Sequence, residues 1–125
     1  MYIIDTHALL WYLRNSDELS ETAHKIIDNE DTIFVSIASL WEIAIKHSLG
    51  KLELEFSISQ IENLCYKKDI SILPIKAFHL DELERLPKIH NDPFDRLIIC
   101  QVRTENLLLI TRDTIIPKYD VKTVW

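Results

Sequence analysis

The sequence predicts an α/β fold, a three-layer sandwich with a central parallel sheet flanked by helices, formed by residues 1–125 as a single domain. Short β-branched or apolar runs alternate with longer stretches of helical periodicity. Strands and helices in alternation imply a parallel sheet covered on both faces, with right-handed crossovers. At 125 residues the chain can bury an ordinary core, and no linker, repeat or low-complexity tract divides it.

Tyr2-Ile3-Ile4 opens the chain as a short strand, Asp5-Thr6 turns it, and His7 to Leu13 reads as a helix ending near Arg14-Asn15. Ser20 caps a second helix whose apolar face is Ala23, Ile26 and Ile27. Thr32 to Val35 is β-branched and aromatic, a buried strand. Ser36 leads it into a third helix that stops at Leu49-Gly50, where glycine tolerates the left-handed turn. Lys51 to Phe56 is a connector. Ser57 and Gln60 form a capping box for a helix carrying Ile58, Ile61, Leu64 and Cys65. Ile70 to Ile75 is a strand near the sheet edge, with Pro74 limiting its ladder bonds. Ala77, Leu80, Leu83 and Leu86 mark a helix that stops before Pro87. Asp92-Pro93 then starts a well-specified helix, with Asp92 as N-cap, Pro93 as first helical residue and Asp95 as third. Asn106 ends it, Leu107 to Ile110 is the most apolar strand, and Val121 to Trp125 is the last.

The composition, 47% hydrophobic and 27% charged, is that of a soluble globular domain. No apolar run reaches the length of a membrane span and no secretory signal opens the chain, so a cytoplasmic location is expected. Cys65 and Cys100 sit among apolar helical positions and read as buried free thiols. The histidines His7, His24, His47, His79 and His90 show no zinc spacing. With Gly50 as its single glycine, the chain can build neither a P-loop nor a dinucleotide fingerprint. A net charge of −6 argues against a general nucleic-acid coat.

In parallel sheets, ligands bind beyond the carboxyl ends of the strands. Asp5 ends the first strand, Glu42 lies in the opening turns of the third helix, and Asp113 follows the strand Leu107–Ile110. Asp95 begins a helix that runs antiparallel to the strands, so its end also reaches that edge. Four gathered carboxylates repel one another, and a bound hard cation such as Mg²⁺ resolves the repulsion. Such a centre suits phosphodiester hydrolysis without a nucleophilic side chain. Each acid has a plainer reading: Asp5 as a helix cap, Glu42 as the capping-box partner of Ser39, Asp113 as a turn residue. For Asp92, a cap role and a site role both stay open. Thr6 and Ser36 adjoin the cluster as candidate hydrogen-bonding supports, each equally readable as a cap. Arg96 and Arg112 flank the acids as candidate phosphate contacts, with surface solvation the equal alternative. Trp11 and Trp41 read as core or interface.

Ile3-Ile4-Asp5-Thr6-His7-Ala8-Leu9-Leu10-Trp11, Ser36 to Gly50 with Trp41-Glu42-Ile43, Asp92-Pro93-Phe94-Asp95-Arg96-Leu97-Ile98, and Leu109-Ile110-Thr111-Arg112-Asp113 together resemble PIN-domain proteins. They look most like the VapC-type toxins of bacterial toxin–antitoxin pairs. The blocks occur in family order and span nearly the whole chain. His7 departs from the commonest pattern, where many members carry Asn. The resemblance implies a PIN-like parallel sheet, Mg²⁺- or Mn²⁺-dependent endoribonuclease activity, a homodimer and a cognate antitoxin that blocks the cleft. It carries the acidic, metal-holding positions to Asp5, Glu42, Asp95 and Asp113. In the resulting reading of a metal-dependent ribonuclease, Thr6, Ser36 or Thr111 helps place water or phosphate. Two other classes fit less well. A receiver-type phospho-acceptor wants paired early aspartates and a late lysine, whereas Asp5 stands alone and Arg112 accompanies Asp113. A catalytically silent fold kept for protein binding is disfavoured by the intact acids.

Overall fold

Strands β1 (Tyr2–Ile4), β2 (Ile33–Ser36), β3 (Ile70–Leu73), β4 (Leu108–Ile110) and β5 (Thr123–Val124) form one sheet in the order β3-β2-β1-β4-β5. Every pairing is parallel. The computed structural model describes all residues from Met1 to Trp125. Six helices complete it: α1 (Thr6–Leu13), α2 (Glu21–Asn29), α3 (Ile37–Ser48), α4 (Ile58–Lys67), α5 (Ala77–Arg85) and α6 (Pro93–Glu105).

Successive strand residues point to opposite faces, and that alternation divides the core in two. Ile4, Val35, Ile70 and Ile110 pack with Leu9 of α1, Ile27 of α2, Ile43 of α3 and Ile61 of α4. Ile3 and Leu109 face the other way, onto Ile98, Ile99 and Val102 of α6 and Leu86 after α5. The expected three layers are therefore present. Cys65 and Cys100 are buried and unpaired, and burial pushes both thiols up to about 11. No helix is long and apolar enough to cross a membrane.

Helix ends follow local chemistry. Ser20 accepts the Ala23 N–H, and Ser57 and Gln60 satisfy each other's backbone reciprocally. Gly50 (φ 71°) and Asn106 (φ 53°) take the left-handed conformation just past α3 and α6.

Three elements depart from expectation. Strand β3 stops at Leu73 rather than Ile75, because Pro74 has no N–H for the ladder and its carbonyl accepts from Gln101 Nε2 at 3.2 Å. Strand β5 has two residues instead of five, since a tight turn bonds Val121 N–H to the Tyr119 carbonyl at 2.8 Å. Helix α5 ends at Arg85 and turns Leu80 outward while His79 is fully buried. His79 Nδ1 accepts the Lys76 N–H at 2.9 Å, which anchors the helix start and sets that face.

Candidate active site at the carboxyl edge of the sheet

Asp5 leaves β1 and caps α1: its Oδ1 accepts the Ala8 N–H at 2.8 Å. Its Oδ2 accepts the Thr111 hydroxyl at 2.5 Å, which ties the end of β1 to the end of β4. The cap reading and the site reading thus describe one residue. Burial raises the Asp5 pKa, against the lowering pull of Thr111 and Ala8.

Asp113 stands beyond β4. Its Oδ1 accepts the Ile115 and Ile116 N–H groups at 2.7 and 3.0 Å, so it also shapes a turn, as its plainer reading had it. Its Oδ2 lies 3.0 Å from His90 Nε2. Burial pushes this carboxyl up, but the His90 bond and the two backbone donors outweigh it and hold the pKa below the usual range.

Asp95 lies in the first turn of α6, where Pro93 and the Asp92 cap start the helix. Asp92 Oδ1 accepts from Phe94 and Asp95 N–H at 2.8 and 3.1 Å. One Asp95 oxygen is 3.3 Å from His90 Nε2. Burial, then the charges of Asp92, Glu42 and Asp5, push the Asp95 pKa from 3.8 up to about 7, with His90 pulling the other way. Asp95 is therefore the carboxylate that feels Asp92, Glu42 and Asp5 together.

Glu42 is buried on α3. Thr6 donates to its Oε1 at 2.6 Å, and Lys46 one turn on reaches its Oε2 at 2.6 Å. That bond to Glu42 raises the Lys46 pKa, with the Asp92 and Asp95 charges adding to it. The capping box with Ser39 does not form, because Ser36 is the N-cap of α3 and accepts the Ala38 N–H at 3.0 Å. Ser39 instead lies 3.0 Å from the Thr6 hydroxyl. Thr6 thus supports an acid, whereas Ser36 is occupied as a cap.

Asp5, Asp95 and Asp113 line one cavity of ≈ 180 Å³ with His7, Trp11 and Arg112. Glu42 is outside that lining, although its charge reaches Asp95. Arg112 lies at the wall, its guanidinium 4.4 Å from the Trp11 ring and 2.7 Å from Glu18. Arg96 is elsewhere engaged: it donates to the carbonyls of Pro87 and Leu86 and to the Tyr119 hydroxyl. It clamps the segment before α6. His7 is exposed on α1 and stacks on Trp11 at 5.5 Å. Trp41 is 55% exposed and meets Phe94 edge-on at 5.1 Å.

Two further residues belong to this edge. His90 has no zinc spacing, and its place two residues before the N-cap Asp92 is the signal the sequence carries for it. Lys46 lies one helical turn from Glu42, the spacing of an ion pair.

Nε2 of His90 and a carboxylate oxygen from each of Asp95 and Asp113 all lie within 4.8 Å of one another. Half-buried carboxylates, one of them pushed to about 7 by burial and by the charges of Asp92, Glu42 and Asp5, suit a hard divalent cation. The donor set at this edge fits such an ion.

The family model described as PIN domain matches residues 2–122. The chain belongs to the PIN-domain family. PIN domains are typically nucleases. Solved structures agree on the fold. VapBC2 from Rickettsia felis, bound to a DNA fragment from its promoter, aligns with a TM-score of 0.72 at 15% identity, covering 98% of this chain and 96% of that one. FitAcB from Neisseria gonorrhoeae gives 0.68 at 16% identity, covering 100% and 97%. A toxin–antitoxin complex from Klebsiella pneumoniae gives 0.68 at 16% identity, also covering 100% and 97%. No curated protein matches the sequence.

Proposed function

We propose that this PIN domain is a Mg²⁺- or Mn²⁺-dependent endoribonuclease, the toxin of a type II toxin–antitoxin pair. The observation that carries the reading is the meeting of Asp5, Asp95 and Asp113 on one cavity, with the Glu42 charge felt at Asp95. Asp5, Asp95 and Asp113, with Glu42 behind them, would hold the metal. When bound, it supplies Lewis-acid polarisation of a phosphate and an activated water.

The residues of the chain do the rest. Thr111 and the Ala8 N–H fix both oxygens of Asp5, so that carboxylate faces the cavity without rotating. Thr6 and Lys46 hold Glu42 in the same way. Arg112, 52% exposed at the cavity wall and paired there with Glu18, would be the cation to meet an RNA phosphate. His7 and Trp11 line the same opening.

Similar solved structures include a toxin–antitoxin complex, which supports an antitoxin as partner. An antitoxin segment covering the cleft would find the exposed Trp41 beside Phe94, and the toxin is expected to pair with a second copy. A cytoplasmic location belongs to the same proposal. The family match leaves no place for the receiver-type alternative.

The test is incubation of the purified chain with RNA, with Mg²⁺ or Mn²⁺ or with excess chelator, beside Asp95→Asn and Asp5→Ala. Cleavage is expected only for wild type with metal, while both variants keep their circular dichroism. Full cleavage by either folded variant, or in chelator, overturns the proposal.

A further inference from the structure

We infer that His90 is a positioning residue of this centre and not one of its metal ligands, a step that rests on the function proposed above. By distance alone, His90, Asp95 and Asp113 form a three-ligand set. The hydrogen bonds assign the imidazole a different part.

The Asp92 N–H donates to His90 Nδ1 at 3.0 Å, so Nδ1 presents its lone pair and the ring proton resides on Nε2. Nε2 lies 3.0 Å from Asp113 Oδ2 and 3.3 Å from Asp95 Oδ2. Both are acceptors, and the Nε2–H lies between them. A nitrogen that carries its proton has no lone pair for a cation. To become a ligand, the ring would have to move that proton to Nδ1. Two N–H groups would then face each other across 3.0 Å at the residue that caps α6.

The ring has no easy route out of this arrangement. Its side chain is 9% exposed. The backbone N–H groups of Ile89 and His90 both donate to the Tyr119 hydroxyl, at 3.0 and 2.7 Å. Tyr119 donates in turn to the Pro87 carbonyl at 2.8 Å, and Arg96 braces the same carbonyl and hydroxyl. Asp92 closes the loop: its N–H holds the ring while its carboxylate caps Phe94 and Asp95. These bonds fix His90, Asp92 and Asp95 relative to one another, and the Nε2–H, with the Ile115 and Ile116 N–H groups on the other oxygen, holds Asp113 relative to Asp95.

The usual pattern around a metal has a carboxylate orienting a ligating histidine. Here a histidine orients two carboxylates. The set left for the cation is all oxygen, which favours Mg²⁺ and Mn²⁺ over nitrogen-seeking Zn²⁺ or Ni²⁺.

The experiment loads the full chain with Mn²⁺ alone and reads pulsed electron paramagnetic resonance together with titration calorimetry. Wild type is expected to bind Mn²⁺ without the strong nitrogen coupling of a directly bound imidazole. His90→Gln keeps an N–H donor at about the reach of Nε2 and should hold Mn²⁺ within a few-fold of wild type. His90→Leu has no donor and should lose about tenfold or more in affinity. RNA cleavage at saturating metal should then fall in kcat for His90→Leu, with KM for RNA unchanged. A direct nitrogen coupling in wild type, or His90→Gln binding as weakly as His90→Leu, overturns the assignment and leaves the nuclease reading standing. No Mn²⁺ binding by wild type refutes the metal centre itself, and this role with it. Should His90→Leu fail to fold, the wild-type spectrum and the glutamine variant still decide.

Discussion

Replacing Asp95 by Asn removes one negative charge from the point where burial and three other carboxylates act together. The native pKa stands at about 7 against an ordinary 3.8, so the folded protein holds this proton more tightly than the unfolded chain. The penalty is absent below about pH 4, where both states are protonated, grows as pH rises, and is complete above about pH 7. At 1.36 kcal/mol per pH unit, the full penalty is about 4 kcal/mol. Solvent reaches this side chain, 20% exposed, and screening trims the figure to roughly 2–3 kcal/mol. Asparagine never bears the charge and its amide oxygen still accepts from His90. In chelator at about pH 8, Asp95→Asn should thus melt roughly 8–12 °C above wild type, for a chain of this size. At about pH 5 the advantage should shrink to a third or so of that, because wild type is then largely protonated in the native state. Metal at about a hundredfold excess over its Kd should return about 2.7 kcal/mol to wild type and less to the variant. Differential scanning fluorimetry across pH, with and without Mn²⁺, reads all of this. A variant that melts below wild type in chelator, with a difference flat in pH and equal metal shifts, would show that Asp95 is no more than a first-turn helix residue.

Two further substitutions test the frame around the site. Asp92→Ala should cost about 0.5–2 kcal/mol in urea denaturation while Asp92→Ser costs far less, because serine also caps; a stable Asp92→Ser that cleaves no RNA would make Asp92 a site residue. Tyr119→Phe removes the hydroxyl shared by Ile89, His90, Arg96 and Pro87, and leaving those backbone groups unpaired should cost about 1–3 kcal/mol in the same assay. A cost near zero would show that the segment before α6 is held by packing alone.

Much of this protein is determined by interactions that span only a few residues. Ser20, Ser57 with Gln60, Asp92 with Pro93, Gly50 and Asn106 each start or stop a helix as their residue types dictate. The orphan N–H and carbonyl groups of a helix end are answered within about four residues, so the sequence alone contains both partners. The parallel direction of the strands follows from the alternation of elements, and it brings the strand ends that carry Asp5 and Asp113 to one edge. What the chain alone left undecided are bonds between residues far apart in it. Thr111 closes on Asp5 across 106 positions, and His90 reaches Asp113 across 23. Nothing local to Ser39 or Arg96 shows that one faces Thr6 while the other clamps Pro87. Glu42 matched a capping box in sequence, yet packing turned its carboxylate to Thr6 and Lys46. Such bonds depend on the angle and depth at which packed elements meet. Those are set by the whole core at once, and a hydrogen bond forms or fails within a few tenths of an ångström.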